Sequence, residues 1–188
     1  MVGYMPYNPN HHRRRSIRLP AYDYSGEGWY FITICSTDNK QCLFGDINNE
    51  RMVLSDCGKI IKHQWVRIPK RFNNVILDDY IIMPNHIHGI IEIIAPVGAI
   101  HESPLHQRLS SIIPLRDQRR QMTLSKIIGY FKMNSAKQIN CLLQRQGNPV
   151  WQRNYYERII RDDRDYVNIC GYMKNNPGKW AQDRNYLN

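Results

Sequence analysis

The chain has 188 residues, with 26 lysines and arginines against 16 acidic residues, a formal net charge of +10 and a pI near 9.5. That length suits one compact domain and leaves two cramped, and the positive charge favours a polyanion, either nucleic acid or an anionic membrane surface. No apolar run approaches the roughly 20 residues of a membrane span, the N-terminus lacks the apolar core of a secretory leader, and five scattered cysteines without a C-x-x-C pair imply neither a disulfide framework nor a zinc knuckle, so the expectation is a soluble cytoplasmic protein.

Residues 1–22 read as a basic arm: Arg13, Arg14, Arg15 and Arg18 stand without an acidic neighbour, and Pro6, Pro9 and Pro20 discourage regular structure. Residues 23–188 are expected to form one domain. In it, 28–37 (GWYFITICST) alternates Tyr30, Ile32 and Ile34 against Phe31, Thr33 and Cys35, a strand pattern. Ser55 is placed to cap a helix on which Cys57, Ile61, Trp65 and Ile68 recur, with Pro69 as its end. Two apolar runs, 73–83 and 86–94, are separated only by Pro84 and Asn85 and predict an antiparallel hairpin. Residues 96–122 have the proline, serine and arginine content of a long loop. Thr123 is a candidate N-cap for a helix carrying Leu124, Ile128, Phe131, Ser135 and Leu142 on one face and ending near Gly147–Pro149. Residues 150–160 return to strand composition, and a last helix should run from Asp162 or Asp163 until Pro177. This order predicts an α+β fold: a ferredoxin-like antiparallel sheet with helices on one face and an added C-terminal helix. Trp29, Trp65 and Trp151 fall in these patterns as core residues rather than base-stacking platforms.

The hairpin's second strand begins HIHGIIEI. Side chains two apart on a strand point the same way, so His86 and His88 share a face with Ile90 and Glu92, opposite the apolar Ile87, Ile91 and Ile93. Two imidazoles so placed can hold one metal ion, although a strand neighbour and a hydrogen bond would explain the spacing equally well. On the last helix Tyr172 and Asn176 are four apart and so share a face. A phenol titrates near pH 10, so Tyr172 becomes a credible nucleophile towards a phosphodiester only beside a metal or other cations. Among twelve tyrosines a packing role is the commoner one. Asn176 precedes a proline, which is ordinary helix-ending chemistry and should draw it away from α geometry.

Read in order, RRRSIRLPAYDYSGEGWYFITIC, MPNHIHGII, VWQRNYYERIIRDDRDY and YMKNNP resemble the REP-associated tyrosine transposases, which are single-tyrosine transposases of the HUH endonuclease superfamily. The resemblance spans about residues 13–177, with the 96–122 loop least alike. It implies a metal-dependent single-stranded DNA endonuclease that cuts and rejoins DNA near hairpins through a 5′-phosphotyrosine. His86 and His88 would be the HUH pair, Asn176 the third ligand to magnesium or manganese, and Tyr172 the nucleophile. Tyr155, Tyr156 and Tyr166 are rivals without an amide four residues on, and Tyr130 precedes Asn134 by four but lacks the following NP. Phosphate contacts would come from Arg13, Arg14, Arg15 and Arg18, from Arg116, Arg119 and Arg120 in the loop, and from Lys126 and Lys132. The protein would act as a monomer or a homodimer. Two other readings share the basic surface: a ferredoxin-like module that binds single-stranded nucleic acid without cutting it, and a phosphodiesterase that uses water.

Overall fold

The structure, a computed structural model, describes residues 27–38, 41–94, 122–183 and 185. The expected basic arm, the loop arginines Arg116, Arg119 and Arg120, and nearly all of the 96–122 loop lie outside the described residues. In chain order the elements are β1 (Gly28–Cys35), β2 (Gly45–Asn48), β3 (Arg51–Leu54), α1 (Asp56–Val66), α2 (Ile68–Arg71), β4 (Val75–Met83), β5 (His86–Ile93), α3 (Thr123–Leu142), β6 (Tyr156–Ile160) and α4 (Asp163–Asn175), followed by a 3-10 helix (Pro177–Gln182). Strands β4, β5, β1 and β6 pair in that order as an antiparallel sheet, with β1 and β5 central, as the split βαβ order requires.

The period-two pattern of β1 and β5 divides the sheet into two chemically different faces. Residues directly opposed across an antiparallel pair share a face, and Thr33 stands opposite His88, Cys35 opposite His86, and Phe31 opposite Ile90. Tyr30, Ile32, Ile34, Ile87, Ile91 and Ile93 therefore point the other way, where Ile61 and Trp65 of α1 and Leu124, Ile128 and Phe131 of α3 close the main core over them. The approach of α1 is close. A Cβ on Gly89 would lie 2.4 Å from the Trp65 ring, so glycine between the second histidine and Ile90 is what lets the indole lie on the sheet. The second face is covered by α4 through a small apolar contact of Ile169 and Met173 with Ile90.

Local chemistry explains most boundaries. Ser55 caps α1 by accepting from the Gly58 amide, and Asp162 caps α4 by accepting from that of Asp165. Thr123, expected as a cap, is instead the first residue of α3; Met122 occupies the cap position and offers no side-chain hydrogen bond. Pro69 opens the short α2 rather than ending α1, a position where its missing N–H costs nothing. The β2–β3 hairpin was not anticipated; its strands have four residues each, and its turn holds Asn49 and Glu50 at φ of 49° and 58°. The expected 150–160 strand is narrower, since β6 starts at Tyr156 while Trp151 only bridges to Ser36. Pro177 does not release Asn176 from helical geometry: Asn176 keeps φ −60° and ψ −44°, and the chain continues as the 3-10 helix. Its four-residue alignment with Tyr172 is therefore preserved.

Candidate active site

His86 and His88 lie on the α4 side of β5 and are 0% and 1% exposed. Each ring is oriented from behind. Asn85, in the hairpin turn, donates through Nδ2 to the Asn185 carbonyl at 2.7 Å, which fixes its Oδ1 as the acceptor from His86 Nδ1–H at 2.8 Å. His86 Nε2 is thus the acceptor nitrogen of the ring, and it lies 3.0 Å from His88 Nε2. Either a proton or a cation must sit between the two nitrogens. The Thr33 hydroxyl, 2.8 Å from His88 Nδ1, can donate or accept and is compatible with both states. Phe31 stacks on His88 with ring centroids 5.3 Å apart, and Trp180 of the 3-10 helix lies 5.9 Å from the His86 ring.

Tyr172, near the end of α4, brings its hydroxyl 3.2 Å from His88 Nε2 and donates to Asp183 Oδ2 at 3.3 Å. It is 44% exposed, so the phenol stands at the mouth of the buried histidine pair. Asp183 is held by the Asn185 amide, which donates to its Oδ1 at 2.7 Å. His86, His88 and Asp183 each offer a ligand atom, all within 4.8 Å of one another, a group able to hold a metal ion. Sequence reasoning missed Asp183. Its one signal is that it is the only acidic residue after Asp165. Asn176 is 3% exposed, and both polar atoms of its amide lack a hydrogen-bond partner among the described residues.

Two imidazole nitrogens and a carboxylate are a donor set that fits a divalent cation. Adjacent ligand atoms on an octahedral ion with bonds of about 2.1 Å stand about 3 Å apart, the separation of the two Nε2 atoms. Outer-shell partners that orient the ring, here Asn85 for His86 and Thr33 for His88, are characteristic of imidazole ligands. A buried amide without a partner costs about 1–3 kcal/mol unless something coordinates it.

The rival tyrosines lie away from the histidine pair. Tyr166 donates to Asp78 Oδ2 at 2.7 Å, and this bond, with a contact to Cys170 and burial, raises its phenol above the ordinary range. Tyr155 lies 3.3 Å from the Ser125 hydroxyl, and Tyr130 meets Phe72 edge-on. Tyr156 is exposed on the edge strand β6. Of the two helix lysines expected to contact DNA, Lys126 is exposed on α3. Lys132 instead turns its ammonium to the carbonyls of Gln152, Arg153 and Asn154 at 2.6, 3.2 and 3.4 Å, and burial lowers its pKa to about 8. Its side chain braces the approach to β6. Trp65 and Trp151 are core residues as expected, and the Trp151 indole donates to Ser135 inside the sheet–α3 layer. No helix of the described residues is long and apolar enough to cross a membrane.

Sheet order, helix placement and added C-terminal helix define a transposase-type fold. The REP-associated tyrosine transposase solved bound to a REP hairpin matches it with a TM-score of 0.51 and 16% identity, over 89% of this chain and 76% of that one. A further solved structure, a putative transposase from Deinococcus radiodurans, matches at a TM-score of 0.44 and 13% identity over 84% of this chain and 95% of that one. The chain belongs to the same family as an uncharacterized protein of Haemophilus influenzae, to which it is 44% identical over 183 residues, 96% of this chain and 97% of that one. No family model matches the sequence.

Proposed function

We propose that the protein is a metal-dependent tyrosine endonuclease and strand transferase acting on single-stranded DNA beside hairpins. The observation that carries this reading is the Tyr172 hydroxyl, 3.2 Å from a buried histidine pair that lies within ligand distance of a carboxylate. His86, His88 and Asp183 would hold the cation, with the unpartnered amide of Asn176 completing the set. When bound, magnesium or manganese supplies positive charge to a non-bridging phosphate oxygen as the phosphorus becomes five-coordinate.

The chain's own groups then divide the work. Tyr172 Oη attacks phosphorus in line; the Oη–P bond forms as the P–O3′ bond breaks. The phenol proton passes to the Asp183 oxygen that already accepts its hydrogen bond, and the departing 3′ oxygen takes up a proton from solvent water at the exposed mouth of the site. The products are a 5′-phosphotyrosine and a 3′-hydroxyl. Covalent storage of the bond lets a second 3′-hydroxyl reverse the step and join strands without ATP. The half-exposed phenol admits a phosphate, while buried Trp180 and half-buried Phe31 pack on the histidine rings behind it.

The test is incubation of wild type and Tyr172→Phe with end-labelled single-stranded hairpin DNA and manganese, resolved on a denaturing gel. A covalent protein–DNA band is expected from wild type alone. Cleavage that survives in the variant would make water the nucleophile, and binding without cleavage by either protein would favour the non-catalytic module.

A further inference from the structure

Helix α4 carries Tyr172, yet little apolar surface holds it to the sheet. Only Ile169 and Met173 are buried along it, in a cluster of three buried residues, against twenty in the core on the other face. Val167 is 65% exposed, and the ion pair of Asp165 with the exposed Arg158 is of the kind that water and salt weaken. What fastens the first half of the helix is Tyr166. Its ring meets Trp29 edge-on with centroids 5.5 Å apart, and its hydroxyl donates to Asp78 at 2.7 Å.

Asp78 follows Leu77, which pairs with Ile91 and packs on the main core, so strand alternation turns it to the α4 side, and the register of β4 against β5 shifts just there, between Leu77 and Tyr80. Such irregularities recur beside functional sites. At 1.5 Å per residue, Tyr166 stands about 9 Å along the helix from Tyr172. The helix therefore meets the sheet mainly at two places, the Ile169–Met173 contact and the Asp78–Asp79 segment, where Tyr166 bonds Asp78 and Cys170 reaches Asp79. Without the second, it can pivot on the first, and a pivot moves Tyr172.

We propose that Asp78 and Tyr166 form a positioning latch, in which the hydrogen bond from α4 to the irregular segment of β4 sets the approach of Tyr172 to the His86–His88 pair. The inference rests on the reading of Tyr172 as nucleophile. Asp78 and Tyr166 touch no reacting atom; they act through the orientation of the helix. A misplacement of about 1 Å at a reacting atom can cost on the order of 100-fold in rate, so loss of the latch should slow covalent adduct formation by about tenfold or more.

The experiment uses the full chain and the same labelled hairpin DNA with manganese, measuring the adduct rate at saturating DNA, DNA affinity, and amide hydrogen exchange across 163–175. Tyr166→Phe and Asp78→Ala should each form adduct about tenfold more slowly while binding DNA within about twofold of wild type, and their α4 amides should exchange faster. Asp78→Asn keeps an oxygen that accepts the hydrogen bond and should recover most of the rate, which a role in charge alone would not predict. Wild-type rates in Tyr166→Phe, or an Asp78→Asn protein as slow as Asp78→Ala, would overturn the latch. If wild type itself forms no adduct, the functional reading fails, and exchange alone then decides: unchanged protection of α4 in Tyr166→Phe would overturn the latch as well.

Discussion

Asn176 gives the sharpest conflict between folding and function at a single residue. Its amide is buried with neither polar atom bonded among the described residues, so the metal-free protein carries a desolvation cost of about 1–3 kcal/mol there. Replacing it with leucine, similar in size and apolar, should raise the melting temperature in the presence of a chelator. The same variant should gain less than wild type on addition of manganese, because a ligand that binds only the folded state stabilises it according to its affinity. A thermal melt of both proteins, with and without manganese, measures this; a leucine variant less stable in chelator would mean that the amide has a partner. The histidines were legible in the sequence because strand periodicity puts His86 and His88 on one face wherever the strand sits. Asp183 was not, since it follows a 3-10 turn that has no apolar period and reaches the site only through the tertiary path of the chain after α4.

The elements show the same division between local and distant causes. Caps at Ser55 and Asp162, and the hairpin around Pro84–Asn85, depend on neighbouring residues and were readable directly. The β2–β3 hairpin was hidden because four-residue strands with exposed polar positions offer no apolar alternation. Lys132 read as a surface cation because nothing local to α3 reveals the three carbonyls of 152–154 that receive it. Its replacement by methionine should destabilise the fold by about 1–3 kcal/mol through the carbonyls left unpaired, and leave hairpin binding largely intact. The pH dependence has a definite sign. With the pKa lowered from 10.5 to about 8 by burial, the unfolded chain holds a proton that the folded one has lost between those values. The stability this lysine contributes is therefore largest above the upper value and falls away as pH drops through about 8. The melting-temperature advantage of wild type over Lys132→Met should widen from pH 7.5 to pH 10; a constant or shrinking gap would contradict the assignment.

For the whole molecule, the two faces of one sheet serve different ends. The α1–α3 side holds most of the buried apolar surface and with it most of the stability, while the α4 side keeps only a thin contact and presents the polar site. On the proposed function, a net charge of +10 would supply the long-range attraction to DNA, and counterion release would make such binding steeply salt-dependent. Affinity for the labelled hairpin should fall by about tenfold or more between about 50 and 200 mM salt, read by filter binding or anisotropy, and equally for Tyr172→Phe. A salt-insensitive interaction would remove the phosphate backbone as the main contact. The central claim, that Tyr172 becomes joined to DNA, is tested most directly by digesting the wild-type adduct with trypsin and nuclease and locating the residual nucleotide by fragmentation mass spectrometry. The account predicts a nucleotide on the peptide 165–174, attached at Tyr172 and not at Tyr166; attachment at any other residue would contradict it.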